Sequence, residues 1–300
     1  MHNLWINRLF AGLGAWFFVT QTSLEIFVSL IFILSVSHTL LAIYHSRNRA
    51  HAVAEKGAAQ SWAFAALIGA SAVCIYFDSP TMYYLILFHH VLNETFTSSE
   101  NDAFRSKTFQ GLFILFEIAL FVSCSPDEFN QLFFYLPLRL KLAFLVVGFV
   151  LLALNSSRLH SDKNFKPAFF AFIGFGFIGG LFSLTVQPLN IDFLIFYHFL
   201  FWLSYPALKG FSLTKKMQWH YVVQTSVLAA LALPLTLLVK TPISLNVDQM
   251  SHVTRILAYF HIFSTLALSA SNPKFIRNFF GSRPRHTEVF HEKSKIQSAV

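Results

Sequence analysis

Imidazoles sit in this chain where an ionisable ring is most costly. His38 lies in LIFILSVSHTLLAIY, the pair His89–His90 in TMYYLILFHHVLNETF, His198 in DFLIFYHFLFWLSYP and His261 in RILAYFHIFSTLALS. Each stretch is apolar and of membrane length. Hydrocarbon penalises an ionisable side chain, so each ring needs a partner or a task. Imidazole is also the commonest metal ligand among side chains. Several imidazoles and a carboxylate around an ion with an open position suit Fe(II) and oxygen chemistry. The candidate ligands are His38, His89, His90, Glu94, His198 and His261.

The stretch FHHVLNETF is the richest in polar groups. On a helix His89 and Asn93 share a face, as do His90 and Glu94, because each pair is four apart. Adjacent residues diverge by about 100°. His89 and His90 therefore cannot both point straight at one atom, although both can line one cavity. Glu94 has three open readings: a carboxylate ligand, an acceptor that sets the tautomer of His90, or the interfacial start of a loop. His38 and His45 are seven apart, two turns along one face, and His45 is most simply an interfacial histidine. His160, His220 and His252 read as solvated or interfacial, and so do His286 and His291. The plainer alternative for any one membrane histidine is a hydrogen bond to a neighbouring helix, worth about 1 kcal/mol.

Other polar groups in apolar runs are few. Glu117 interrupts LFILFEIALF and would pair with Arg139, hold a proton or act as a ligand. Arg139 and Lys141 are expected to snorkel to an interface. Tyr197, Trp202, Ser204 and Tyr205 surround His198, and Tyr259 precedes His261 by two residues. Aromatic packing accounts for each of these most simply. Gly174, Gly176, Gly179 and Gly180 allow close helix approach. Pro206 and Pro234 are expected to kink their helices.

These residues need a frame, and composition indicates one. The chain has 300 residues, 55% hydrophobic and 12% charged, with 37 Phe. Soluble domains carry roughly 25% charge, so lipid is the expected solvent and membrane lipids the expected surroundings. The fold class expected is all-α, a polytopic membrane helix bundle of about nine spans (eight to ten) near the ~20 residues a bilayer needs. The spans are 22–44, 61–77, 81–97, 108–124, 133–156, 167–187, 191–208, 218–239 and 251–270.

Charge tests that count. Seventeen of the 22 Lys and Arg fall after the first, third, fifth and seventh spans or in the tail. The intervening connections hold only Arg139, Lys141, Lys240 and Arg255, beside Asp78, Asp127, Glu128, Asp192 and Asp248. This alternation follows the positive-inside rule except before the fifth span, and it points to a cytoplasmic C-terminus in a plasma or inner membrane. The four histidine spans then run in one direction. At 1.5 Å per residue His89, His90, His198 and His261 lie within about 3 Å of mid-span, and His38 roughly 7 Å toward the cytoplasmic side.

Residues 1–21 are expected as an interfacial helix, with Trp5, Phe10, Trp16 and Phe17 at the headgroups; a tenth span is the alternative. Residues 22–270 form the bundle and 271–300 a basic cytoplasmic tail. The net charge of +8 is spread over short loops, so nucleic acid is not an expected partner. Cys74 and Cys124 form no CxxC motif and imply no disulfide framework.

One histidine per helix in a polytopic chain of this size resembles the Brp/Blh family of membrane carotene dioxygenases. The residues carrying the resemblance are His38, His90, His198 and His261, with YHFLFW around His198 the closest local echo. It implies an intramembrane iron centre and a lipophilic small-molecule substrate, an isoprenoid or acyl chain. The family's His-Gly-Ala-Leu-Asp run is replaced here by SHTLLAIYH, and its later pair of histidines four apart is absent. The placement is also similar to haem A synthases, which makes bis-histidine haem the alternative cofactor, without their glutamate just before a histidine. Desaturase-type HxxxH and HxxHH boxes do not occur. A transporter or a scaffold with structural histidines is the third class.

Overall fold

The computed structural model describes residues 2–77, 81–100, 106–158, 165–207, 215–268 and 274–280. Asp78, Arg105, His160, Lys163, Lys209 and most of the expected tail, including His286 and His291, lie outside them. The described chain is helical, with no strand among the described residues. The helices are α1 (His2–Gln21), α2 (Leu24–Lys56), α3 (Ala58–Phe77), α4 (Thr81–Glu100), α5 (Lys107–Cys124), α6 (Pro126–Leu132), α7 (Leu138–Leu154), α8 (Phe165–Thr185), α9 (Ile191–Ala207), α10 (Lys215–Ala232), α11 (Val247–Leu268) and α12 (Lys274–Phe280). Among the described residues, four segments are long and apolar enough to cross a membrane by length and composition: Leu24–Ser46, Ala58–Tyr76, Lys107–Cys124 and Lys166–Thr185.

Local signals set the boundaries. Ser106 caps α5, its hydroxyl accepting from the Phe109 amide at 3.1 Å, which satisfies one of the otherwise orphaned first-turn N–H groups. Ser125 breaks the chain after Cys124, and Pro126 opens α6 in the first turn, where proline costs no helical hydrogen bond. Pro234 ends α10 rather than kinking it: Leu233–Leu235 is a 3-10 turn. Residues 45–56, left between the expected spans 22–44 and 61–77, continue α2 to Lys56. Their Ala, Arg, Glu and Lys residues are strong helix formers and no breaker interrupts them. The helix stops at Gly57, whose φ of 151° a side chain would rarely adopt.

The chain divides into two compact units. The first comprises residues 1–38 and 80–255. In it α5 packs against α4, α7 and α8, and α1 lies against α8 and α9. Glycines permit the closest of these approaches. A Cβ on Gly180 of α8 would stand 2.8 Å from Leu145 of α7, and one on Gly148 would stand 3.4 Å from the Phe116 backbone. Residues 1–21, expected as an interfacial helix with Trp5 at the headgroups, form α1, and Trp5 instead lies on a covered face. Trp5 and Arg8 are both 0% exposed, with Trp5 edge-on to Phe113 and Phe169. The Asn7 amide donates to the Phe201 carbonyl at 3.3 Å, and Ser204 donates back to Asn7 at 2.9 Å. Phe10 and Phe17 are exposed on the opposite face. A second apolar group gathers Phe32, Ile33, Ala232 and Met250.

The second unit comprises residues 39–79 and 256–300. Its core is Val53, Ala267, Leu268 and Phe280, with Ala63, Phe64 and Leu67 of α3 packed on it.

Candidate functional site

Three helices of the first unit bring imidazoles together: α2 with His38, α4 with His89 and His90, and α9 with His198. All four residues are buried. His198 is the hub. Its ring centroid lies 4.4 Å from His90, 5.0 Å from His89 and 5.2 Å from His38. A ring nitrogen of His198 and one of His38 lie within 4.8 Å of one another. His89 and His90 diverge on α4, as adjacent helical residues must, and stand 6.2 Å apart. Both still reach His198, because it faces the ridge between them. Trp202 and Phe199 close the surroundings of His198 at 6.2 and 6.0 Å.

The i, i+4 pairing of His89 with Asn93 forms. Asn93 Nδ2 is 3.0 Å from His89 Nε2, so this ring nitrogen is engaged from within its own helix.

The second pair, His90 with Glu94, takes a different course. Glu94 is 2% exposed and is no loop start. Its Oε2 meets Arg8 Nη2 at 2.5 Å, and Tyr197 donates its hydroxyl to Oε1 at 3.3 Å. Arg8 also donates to the Glu94 backbone carbonyl at 3.0 Å. The guanidinium is sandwiched among rings, 4.5 Å from Trp5 and 5.3 Å from Phe201, at distances where the ring face attracts a cation. The carboxylate offered by the sequence as a metal ligand thus has both oxygens committed to Arg8 and Tyr197. Arg8 is the residue that sequence reading missed. Its one signal was a charge that no positive loop accounted for.

Of the three roles open to Glu117, the pairing with Arg139 is not formed. Arg139 is exposed at the start of α7, while Glu117 Oε1 is buried with no hydrogen-bond partner among the described residues. Glu117 lines a cavity together with His90, Glu94 and Tyr197. Lys141, expected to snorkel outward, is 3% exposed. Its ammonium donates to the Pro126 carbonyl at 3.0 Å and lies 5.8 Å from the Phe129 ring.

His261 lies on α11 in the second unit and is buried there, with Ser264 donating to its carbonyl at 2.9 Å. His45, His220 and His252 are exposed, as expected of interfacial or solvated residues.

The donor set around His198 is chemically specific. Neutral imidazoles offer lone pairs to a borderline ion such as Zn, Cu, Fe or Ni, and suit hard cations such as Mg and Ca poorly. The ligating form of an imidazole is the neutral one. The chain matches no protein-family model, no curated protein and no solved structure.

Proposed function

We propose that this protein is a multi-pass membrane oxidoreductase. In this reading a histidine-held iron ion inside the first unit acts with dioxygen on a lipophilic isoprenoid or acyl-chain substrate. The observation that carries the reading is the convergence of His38, His89 and His90 on His198. A metal–nitrogen bond of about 2 Å places two imidazoles in adjacent positions on one ion with centroids roughly 4.5–5 Å apart, and rings on opposite sides roughly 6 Å apart. The spacings from His198 to His90 and His38, 4.4 and 5.2 Å, correspond to adjacent positions. Bis-histidine haem needs the opposite-face spacing, so the geometry favours a non-haem ion. His38 and His198, whose ring nitrogens lie within 4.8 Å of one another, are the proposed ligands from this unit, and His90 stands beside His198. His89 is held by Asn93 and supports the site from beside it. Glu94 is removed from the ligand set by its ion pair.

Iron would supply a place where dioxygen and substrate meet. Oxidative cleavage of a carbon–carbon double bond balances without further reagents: both oxygen atoms of O2 end in the two carbonyls formed. The residues hold the ion, exclude water and present an aromatic surround to an apolar chain.

The membrane setting has its own support. Phe144, Val147, Val150 and Leu154 of α7 are all exposed, as are Trp62, Val73 and Tyr76 of α3. A helix that stays apolar on its outward face is solvated by lipid. The proposed topology has nine spans and a cytoplasmic C-terminus, as the Lys and Arg alternation requires. Reporter fusions after α2 and at the C-terminus should fall on one side of the membrane; opposite sides would refute it.

The decisive experiment is metal analysis with an absorption spectrum on the detergent-purified full chain after Fe(II) reconstitution. One iron per chain without a Soret band, lost in His198→Ala, is expected. A Soret band would replace this reading with haem, and absence of any transition metal would leave a transporter or scaffold.

A further inference from the structure

A cavity of about 50 Å3 lies inside the first unit beside the histidine cluster. His90 forms part of its wall, and so do Phe172, Phe175, Gly176 and Gly179 of α8. The same His90 ring stands 4.4 Å from His198. Although Glu94, Glu117 and Tyr197 also border the space, the surface presented to it is almost wholly apolar.

Size and polarity together select an occupant. One water needs about 10–15 Å3 of such space, and an apolar cavity near 150 Å3 stays dry and takes benzene or xenon. A cavity of about 50 Å3 is too small for an isoprenoid or acyl chain. Its apolar wall gives water few partners. A diatomic apolar gas fits both limits.

We propose that this cavity is a docking site for dioxygen, delivering it to the imidazole cluster past His90. The proposal rests on the oxygen-using reading of the histidine site and adds a division of labour. The gas arrives from the α8 side, and the bulky substrate reaches the other imidazoles from elsewhere, since His38, His89 and His198 do not border this cavity.

Gly179 offers the means to test it. Gly179 borders the cavity, and a Cβ built there meets nothing nearer than Trp16 at 3.9 Å, so Gly179→Val adds bulk at the wall without a collision and Gly179→Ala adds less. Xenon is the probe. Xenon-pressurised crystals or xenon NMR of the full-length protein in detergent should show occupancy beside His90 in the wild type. Occupancy should be reduced in Gly179→Ala and absent in Gly179→Val. In protein loaded with iron and free of substrate, oxidation by dioxygen would pass one electron from each Fe(II) to give superoxide, and the rise of Fe(III) absorption would time it. Gly179→Val should slow it about tenfold with iron content unchanged, and Gly179→Ala by less. Iron-loaded wild type that takes no xenon here would overturn the cavity proposal alone. So would a Gly179→Val protein that excludes xenon yet oxidises at the wild-type rate. Protein that takes xenon but binds no iron would instead overturn the metal reading, and with it the role given to the cavity.

Discussion

Two polar clusters lie in the apolar interior of the first unit, and they solve the problem of burial in opposite ways. Around Glu94 the groups are complementary: a guanidinium, a carboxylate and a phenol, at 2.5 and 3.3 Å. Around His198 the groups are alike, four imidazoles from three helices. The first cluster neutralises itself. The second, if protonated, would repel itself, and when neutral it presents several lone pairs to one region. Complementary clusters fasten helices, here α1, α4 and α9. Clusters of like neutral donors are what a cation requires.

The contrast can be broken from either side. Arg8→Ala should have the largest effect on stability, because it leaves a buried carboxylate without its counter-charge, a loss of about 3–5 kcal/mol. Thermal unfolding in detergent would read this. The double variant Arg8→Met with Glu94→Leu should recover most of that loss, since removing a buried pair outright is often close to neutral. If the double variant is as unstable as the single, the pair is more than a fastening.

His198→Ala should act the other way. It removes the hub of the second cluster and should weaken iron binding by more than about 100-fold, beyond the 10–100-fold typical of residues that only support a ligand. Unfolding should move far less than in Arg8→Ala. Iron titration and a thermal melt on the same sample separate the two. Asn93→Ala should fall in that supporting range, about 10-fold in metal affinity, because it only orients His89. Loss as large as that from His198→Ala would make His89 a ligand. Tyr197→Phe removes one hydrogen bond to the charged Glu94, worth about 1.5–3 kcal/mol, and should leave iron content unchanged.

Much of this was legible in the residues. The nine expected apolar stretches are helical over most of their length, and their prolines fall near helix ends, Pro137 before α7, Pro206 in the last turn of α9 and Pro234 just after α10, where they cost little. The i, i+4 rule anticipated Asn93 beside His89. The reach of α2 to Lys56 was missed because the expected span was ended where polarity begins, although Ala, Glu, Lys and Arg favour helix. The Glu117–Arg139 pairing, one of three roles open to Glu117, failed because a pairing of charges depends on which helices are neighbours. Nothing in LFILFEIALF encodes that α5 turns Glu117 toward α8 and α9 while Arg139 lies exposed.

The division is physical. Composition, run length and charge alternation by themselves determined a helical chain with stretches suited to lipid, and which rings are costly to bury. These are properties of single segments, set by local propensity and solvation. That His38, His89 and His90 meet His198, and that Arg8 rather than a metal takes Glu94, was decided only by tertiary structure. Those facts depend on which helix faces which, and facing is set by packing between segments far apart in sequence.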